Sequence, residues 1–341
     1  MDQHLIDRAV ALRQALAEAG GLAVIDRFLN ANRNLPRADR ELLLDWAGDS
    51  VRGVFEVRQA GPAPVVLNLV DDLEYRVYGL AQAPPRNSFI IGMLLPLVDD
   101  DSAWLASGTE SFHPRQEARQ VARLAMEMAT REPELVFRNP EKVKEGWEHM
   151  RRDREEFLAF FGTDELVLPT PAAEGRLNDY YRQRRDVALA ARGRHRAVSE
   201  TGETTFVMPD GFFEFRTVGV IYDPVDGFVV VPEYGMLRAM FANPALAADR
   251  EHASVLRAYL REDSIPPLPL ERLAAAFPRT VDAVFQRVLG SKNFIWIQNG
   301  RSLLRKRKPG HYGREPLPGV AVLSDRVVEL ARTTGRAGAS G

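Results

Sequence analysis

The 341-residue chain contains no cysteine, which excludes a disulfide framework, a thiolate-held zinc or iron–sulfur centre and a cysteine nucleophile. Lysine is also scarce. Of the 45 basic residues only five are lysines (Lys142, Lys144, Lys292, Lys306, Lys308), which leaves 40 arginines. An arginine and alanine bias of this kind follows from GC-rich coding, so arginine clusters carry less functional weight than usual. No apolar run approaches the roughly 18 residues a spanning helix needs, and the first twenty residues lack the apolar core of a signal peptide, so a cytoplasmic, non-membrane protein is expected. A net charge of −2 leaves no whole-chain attraction to polyanions, so any such binding must be local.

Motifs of common enzyme classes are missing as well. There is no GxGxxG, no Gly-Lys dipeptide for a phosphate loop and no GxSxG elbow. The six histidines (His4, His113, His149, His195, His252, His311) show no HxxxH spacing, and each reads as an isolated surface residue. No cofactor is implied.

What is present is an ordinary globular composition, 45% hydrophobic and 27% charged, enough for two domains. The first fifty residues carry apolar positions at helical intervals, including Leu12, Leu16, Leu42, Leu43 and Trp46, and form a helical preface. Residues 53 to 107 then hold five short apolar runs, GVFEV, VVLNLV, LEYRVYG, SFIIGMLLPLV and SAWLASG. Phe55 and Val57, then Val65, Leu67 and Leu69, then Leu73, Tyr75 and Val77, then Phe89, Ile91, Met93, Leu95 and Leu97 fall at period two and are expected to share one interior. Five strands in this length predict a small SH3-like or OB-like β-barrel, with a flat meander packed on the helices as the alternative.

From Ala118 the period becomes helical, and a second helix begins at Asn139-Pro140 and ends at Gly162; the pair is expected to cover the β-unit. The breakers Pro169, Pro171 and Gly175 mark residues 165–175 as the linker. Beyond it come a long arginine-rich helix, a β-meander of TTFVM, FFEFRTVGVIY and GFVVV, and further helices. The expected organisation is α+β: preface 1–50, small β-barrel with covering helices 51–165, a second α+β domain 176–330 with its β-meander capped by helices, and a disordered tail 331–341.

Two basic features stand out. In residues 176–196 seven arginines face two aspartates, and Arg182, Arg185, Arg192 and Arg196 lie within about 80° of one another on a helix, with Tyr180 and Tyr181 at the start of the ridge. In residues 301–314, Arg301, Arg305, Lys306, Arg307, Lys308 and Arg314 have no acid between them, and Tyr312 lies nearby. Both suit a phosphate backbone or an acidic partner protein. The competing reading is a solvated face paired with carboxylates elsewhere. The acidic groups Asp71-Asp72, Asp99-Asp100-Asp101 and Asp164-Glu165 sit where turns are expected, and turns favour aspartate for backbone reasons.

The segment from Val51 to Gly108, with its GVFEV start, LEYRVYG strand and GMLLPLVDDDSAWLASG close, resembles the small barrel of bacterial proteins some of which carry a C-terminal cysteine-rich SEC-C zinc motif. The resemblance implies a barrel over roughly the first half of the chain and assigns no activity. Without cysteine, no zinc site carries over.

The functional expectation is therefore a non-enzymatic intracellular binding module engaging nucleic acid or an acidic partner through Arg182, Arg185, Arg192, Arg196, Arg305, Lys306, Arg307, Lys308 and Tyr312. The alternatives are a metal-assisted hydrolase using Asp71, Asp72, Asp99 and Asp101, and a protein-interaction scaffold with an exposed apolar patch.

Overall fold

The computed structural model describes residues 3–97, 103–192, 205–313 and 315–332, the side chains of 188–192 excepted. The protein is α+β and divides into two units, residues 1–146 with 320–341, and residues 147–319.

The first unit opens with helices α1 (Gln3–Ala19), α2 (Ile25–Ala31) and α3 (Arg37–Asp49). Leu42, Leu43 and Trp46 on α3 are fully buried, and burial of each leucine is worth roughly 1.5–3 kcal/mol. The Trp46 indole N–H donates to the Pro96 carbonyl at 3.0 Å, which ties the preface to the sheet.

Six strands follow: β1 (Val51–Gln59), β2 (Val65–Asn68), β3 (Glu74–Tyr78), β4 (Phe89–Pro96), β5 (Ala103–Ala106) and β6 (Ser111–His113). Pairing runs β1-β2-β3-β5-β4-β6, antiparallel except for β3 with β5, and β1 also pairs β4. Followed through β2, β3, β5 and β4, the ladder therefore returns to β1.

Period two holds along the strands, but the expected single interior does not. Phe55, Val57, Val66, Tyr75, Val77, Ile90, Leu94 and Trp104 share one cluster. Leu67, Leu69 and Phe89 turn the other way, with Ile91 packed against them, and Leu95 and Leu97 meet the preface helices. The reason is that β2 and β4 are apolar on both faces, so alternation cannot show which set points inward.

Helix α4 (Ala118–Arg131) lays Val121, Ala122, Ala125 and Ala129 on the outward set, and a short α5 (Pro133–Val136) follows. The division between units falls inside α6 (Pro140–Phe161), so residues 165–175 are not a linker. Nor does the whole of α6 cover the β-unit, since its Phe157 packs with Leu177, Tyr180, Val220 and Tyr222 in the second unit.

The predicted linker instead supplies β7 (Glu165–Pro169) and the start of α7 (Thr170–Arg192). Pro169 sits at the strand end, and Pro171 lies in the first helical turn, where a missing N–H leaves no bond unmade. With β8 (Thr217–Asp223) and β9 (Gly227–Pro232), β7 makes a three-stranded antiparallel sheet. The β8–β9 turn is built as its residues predict: the Asp223 carboxylate accepts from the Val225 and Asp226 amides, and Gly227 has φ 71°.

TTFVM contributes no strand among its described residues 205–208. The Asn178 side chain and Glu174 satisfy the Phe206 and Met208 backbone instead of a ladder.

Helices α8 (Tyr234–Ala242), α9 (Arg250–Arg261), α10 (Leu268–Ala276), α11 (Val281–Leu289) and α12 (Trp296–Arg307) enclose a core of Tyr234, Phe241, Leu256, Tyr259, Leu273, Phe285 and Leu304. The chain then returns to the first unit, where α13 (Asp325–Arg332) places Val327 and Leu330 in the cluster covered by α4. Of the predicted disordered tail, 331–341, Ala331 and Arg332 instead end α13, and the rest lies outside the described residues.

Candidate anion-binding surface

Helix α12 presents the cationic face. Its first turn is fixed by two side chains: the Asp282 carboxylate, from α11, accepts from the Trp296 amide at 2.7 Å, and Asn299, within the helix, accepts from the Ile295 amide at 2.9 Å. The inner side carries Leu304, fully buried, and Trp296, whose ring lies 4.8 Å from that of Phe285. Gly300 makes this packing possible, since a Cβ there would stand 2.6 Å from the Trp296 indole. With one side committed to the core, the other must face solvent.

That other side holds Ile297, which is 90% exposed, and Arg301 and Arg305 one and two turns further along. At 100° per residue these three fall within about 80° of one another. Lys306 and Arg307 are exposed at the helix end. Among the described residues, none of Arg301, Arg305, Lys306 and Arg307 forms an ion pair. Arg305 lies over the Tyr312 ring at 5.9 Å, and the Tyr312 hydroxyl donates to Glu271 at 2.8 Å. Burial and the neighbouring Glu271 push that phenol upward, so it stays protonated.

Lys308 corrects the expected run. It is fully buried, and its ammonium donates to the Glu262 carbonyl just beyond α9, where a cation complements the helix C-terminus. Burial lowers its pKa. His311 contacts the Asp263 carbonyl beside it at 3.2 Å. The residue types were legible in the sequence, but which of them the turn after α12 swallows was not.

The arginine ridge of α7 differs. Arg182 pairs with Asp179 at 3.0 Å, Arg185 lies 3.8 Å from Asp186, and Arg184 is gripped by Asp153 and Glu156. Tyr180, expected at the start of the ridge, is buried against Phe157 and Phe160 and offers no stacking face. The Arg192 side chain and Arg196 lie outside the described residues. Within the described residues, then, Arg182, Arg184 and Arg185 each lie within ion-pair distance of a carboxylate, which the exposed cations of α12 do not.

The acidic groups are largely committed to the fold. Asp71 is buried, accepting from the Leu73 amide at 2.9 Å, the Tyr75 hydroxyl at 2.6 Å and Asn68 at 2.8 Å. Burial raises its pKa to about 6. Asp72 turns the chain at φ 64° and meets Lys142 at 3.6 Å. Asp164 binds Arg154 and Arg272, and Arg272 reaches on to Asp223 at 3.1 Å. Asp99 and Asp101 lie outside the described residues. Among the described residues no group of three or more histidines and carboxylates is arranged to hold a cation, and no helix is long and apolar enough to cross a membrane.

The histidines expected to be isolated include some with partners: His252 pairs with Asp249 at 2.8 Å, and His113 makes two contacts. His113 hydrogen-bonds to Ser111 and Glu117. Residues two apart on a strand share a face, and that spacing was the available signal.

No family model, curated protein or solved structure matches the chain.

Proposed function

We propose that this protein is a binding module that engages the phosphate backbone of nucleic acid through the exposed face of α12. The observation that carries this reading is a helix face with four cations, Arg301, Arg305, Lys306 and Arg307, and no carboxylate paired to any of them among the described residues. In a chain with more acids than bases, such cations would ordinarily find intramolecular partners, as those of α7 do. Leaving them unpaired keeps their full charge for an anionic polymer. Ile297 at the head of the stripe and the Tyr312 ring beneath Arg305 add apolar area for sugar or base contact.

The first unit is read in the same terms. Its ladder circuit, with β3 and β5 parallel and β1 paired on both sides, favours a small OB-like barrel over a flat meander. In such barrels the β2–β3 face is the usual binding face. Here β2 is buried, which points to α12 as the contact surface. A cytoplasmic location fits a cysteine-free chain of this kind.

Fluorescence anisotropy with labelled single-stranded RNA and DNA, over a range of salt, tests the reading. Binding is expected to weaken linearly in log–log form, with a slope of about −0.7 per phosphate contacted. The R301A/R305A/K306A/R307A variant is expected to lose binding. Absence of binding at low ionic strength, or a quadruple variant that binds like the parent, overturns the reading. Competition by polyglutamate but not by nucleic acid assigns the face to an acidic protein instead.

A further inference from the structure

A second site lies in the first unit and does not depend on the reading of α12. Strand β6 pairs with β4 through Ile91↔Ser111 and Phe89↔His113, so Ser111 and His113 project from the same face as Ile91. A single turn of 3-10 helix, Arg115–Glu117, then brings Glu117 back beneath His113.

The distances are specific. The Glu117 carboxylate is 2.7 Å from His113 Nδ1, and Ser111 Oγ is 3.0 Å from His113 Nε2. A carboxylate only accepts, so Nδ1 carries the proton and Nε2 is left as the acceptor for the Ser111 hydroxyl. Hydroxyl, imidazole and carboxylate thus stand in the order of a nucleophile, its general base and the group that orients the base.

His113 and Glu117 line a groove of about 660 Å³ between α4 and the β4–β6 face, and Ser111 stands beside it, on the Nε2 side of His113. Ile91, Val121 and Leu124 supply its apolar lining, and Gln116, Gln120, Arg119 and Arg123 its polar one. Both acids of the groove are already engaged, Glu117 by His113 and Glu127 by Arg131, whereas Arg119 and Arg123 form no ion pair among the described residues.

We propose that Ser111, His113 and Glu117 form an esterase site for a short-chain carboxylic ester that bears a negative charge. Ser111 Oγ attacks the ester carbonyl carbon while its proton passes to His113 Nε2. The tetrahedral oxyanion collapses, the bond to the leaving oxygen breaks, and that oxygen takes the proton from Nε2. Water then attacks the acyl-serine, giving its proton to Nε2, and the acid departs as the Ser111 oxygen is reprotonated. The Gln116 and Gln120 amides are the neutral side-chain donors that the groove offers the oxyanion. The acyl chain rests on Ile91 and Leu124, and the charged group faces Arg119 and Arg123.

The full-length protein is treated with an alkyl fluorophosphonate and mapped by mass spectrometry, and its hydrolysis of the p-nitrophenyl esters of succinic and butyric acid is followed. A phosphonyl adduct on Ser111 is expected, absent in S111A, formed about 100-fold more slowly in H113A and about 10-fold more slowly in E117Q. These side chains are at least partly exposed, so circular dichroism of all three variants is expected to match the parent. R119A/R123A is expected to raise KM for the succinate ester by a much larger factor than for the butyrate ester. An unlabelled Ser111, or labelling at the parent rate in H113A, overturns the proposal and leaves the three groups as a hydrogen-bonded strap between β6 and α4. Equal effects of R119A/R123A on both esters overturn the assigned charge of the substrate.

Discussion

Arg326 holds Glu56 through both carboxylate oxygens, with its Nε donating at 2.8 Å to one and an Nη to the other. Glu56 lies in the middle of β1 with its side chain 1% exposed, and the two residues are 270 positions apart in the chain. A buried carboxylate needs a partner, and the partner comes from α13, the last described helix. Hydrogen bonding to Glu56 is the main reason the Arg326 guanidinium holds its proton more tightly than a free arginine.

Breaking this pair on one side leaves a charge in the sheet. Arg326→Ala is expected to destabilise the protein by about 3 kcal/mol in urea denaturation, with Arg58 at 3.2 Å supplying the remaining compensation. Glu56→Gln combined with Arg326→Met is expected to cost less than Arg326→Ala alone, because no uncompensated carboxylate remains. Equal costs would assign the effect of Arg326 to packing.

Asp71 introduces a pH dependence of defined sign. Its carboxyl titrates near 6 in the folded protein and at an ordinary 3.8 when unfolded, because burial disfavours the charged form. A raised carboxyl contributes its full stability below the unfolded value and loses it as pH rises through the folded one. The stability of the parent relative to Asp71→Asn is therefore expected to fall by about 2 kcal/mol between pH 4 and pH 7. Denaturant titrations of the two proteins at both pH values measure the difference. A flat difference would mean that Asp71 is ionised without penalty.

The two arginine helices are expected to behave unequally. Arg301→Ala and Arg305→Ala should each reduce the salt slope of nucleic-acid binding by about 0.7, since each removes a free cation. Arg182→Ala should change it little, because Arg182 is already partnered by Asp179 at 3.0 Å. Equal losses from both helices, read by anisotropy, would show that the Asp179 pair opens on binding.

Lys308 separates charge from position. Lys308→Ala removes a positive charge next to Arg307 in sequence, yet it is expected to leave affinity and salt slope unchanged, because the ammonium is buried on the Glu262 carbonyl. Its cost should appear in stability, about 1–3 kcal/mol for a carbonyl left without its donor. A loss of affinity without loss of stability would return Lys308 to the surface.

Much of the local structure is legible in residue spacing. The preface helices, the strand runs of the first unit, the Asp223–Gly227 turn and the arginine helix all arise where periodicity and turn chemistry place them, because these depend on neighbours a few positions away. The reading fails where a segment's role is set by distant chain. Residues 165–175 look like a linker because of Pro169, Pro171 and Gly175, but β8 offers a ladder that Glu165 to Pro169 can join without a Pro169 amide. Residues 205–208 look like a strand, but Asn178 and Glu174 claim their backbone.

The binding face was half legible for a similar reason. The sequence shows an acid-free run from Arg301 to Lys308 but not that Lys308 turns inward. It shows seven arginines in residues 176–196 but not that Asp153 and Glu156, on another helix, take up Arg184. Burial and ion pairing are sums over neighbours that a linear pattern does not contain.

The sequence by itself determined the absence of thiol chemistry, the helical and extended segments and the scarcity of unbalanced charge, since each depends on residue type and short-range spacing. Tertiary structure alone decided that Val66 and Ile90 join the cluster of Phe55, Tyr75 and Trp104 while Leu67 and Phe89 pack with the residues of α4, because both faces of those strands are apolar and only the packed layers distinguish them. It also decided that Arg326 finds Glu56 and that Ser111, His113 and Glu117 come within hydrogen-bond reach. Such contacts form only once the chain has paid the entropy of closing its loops.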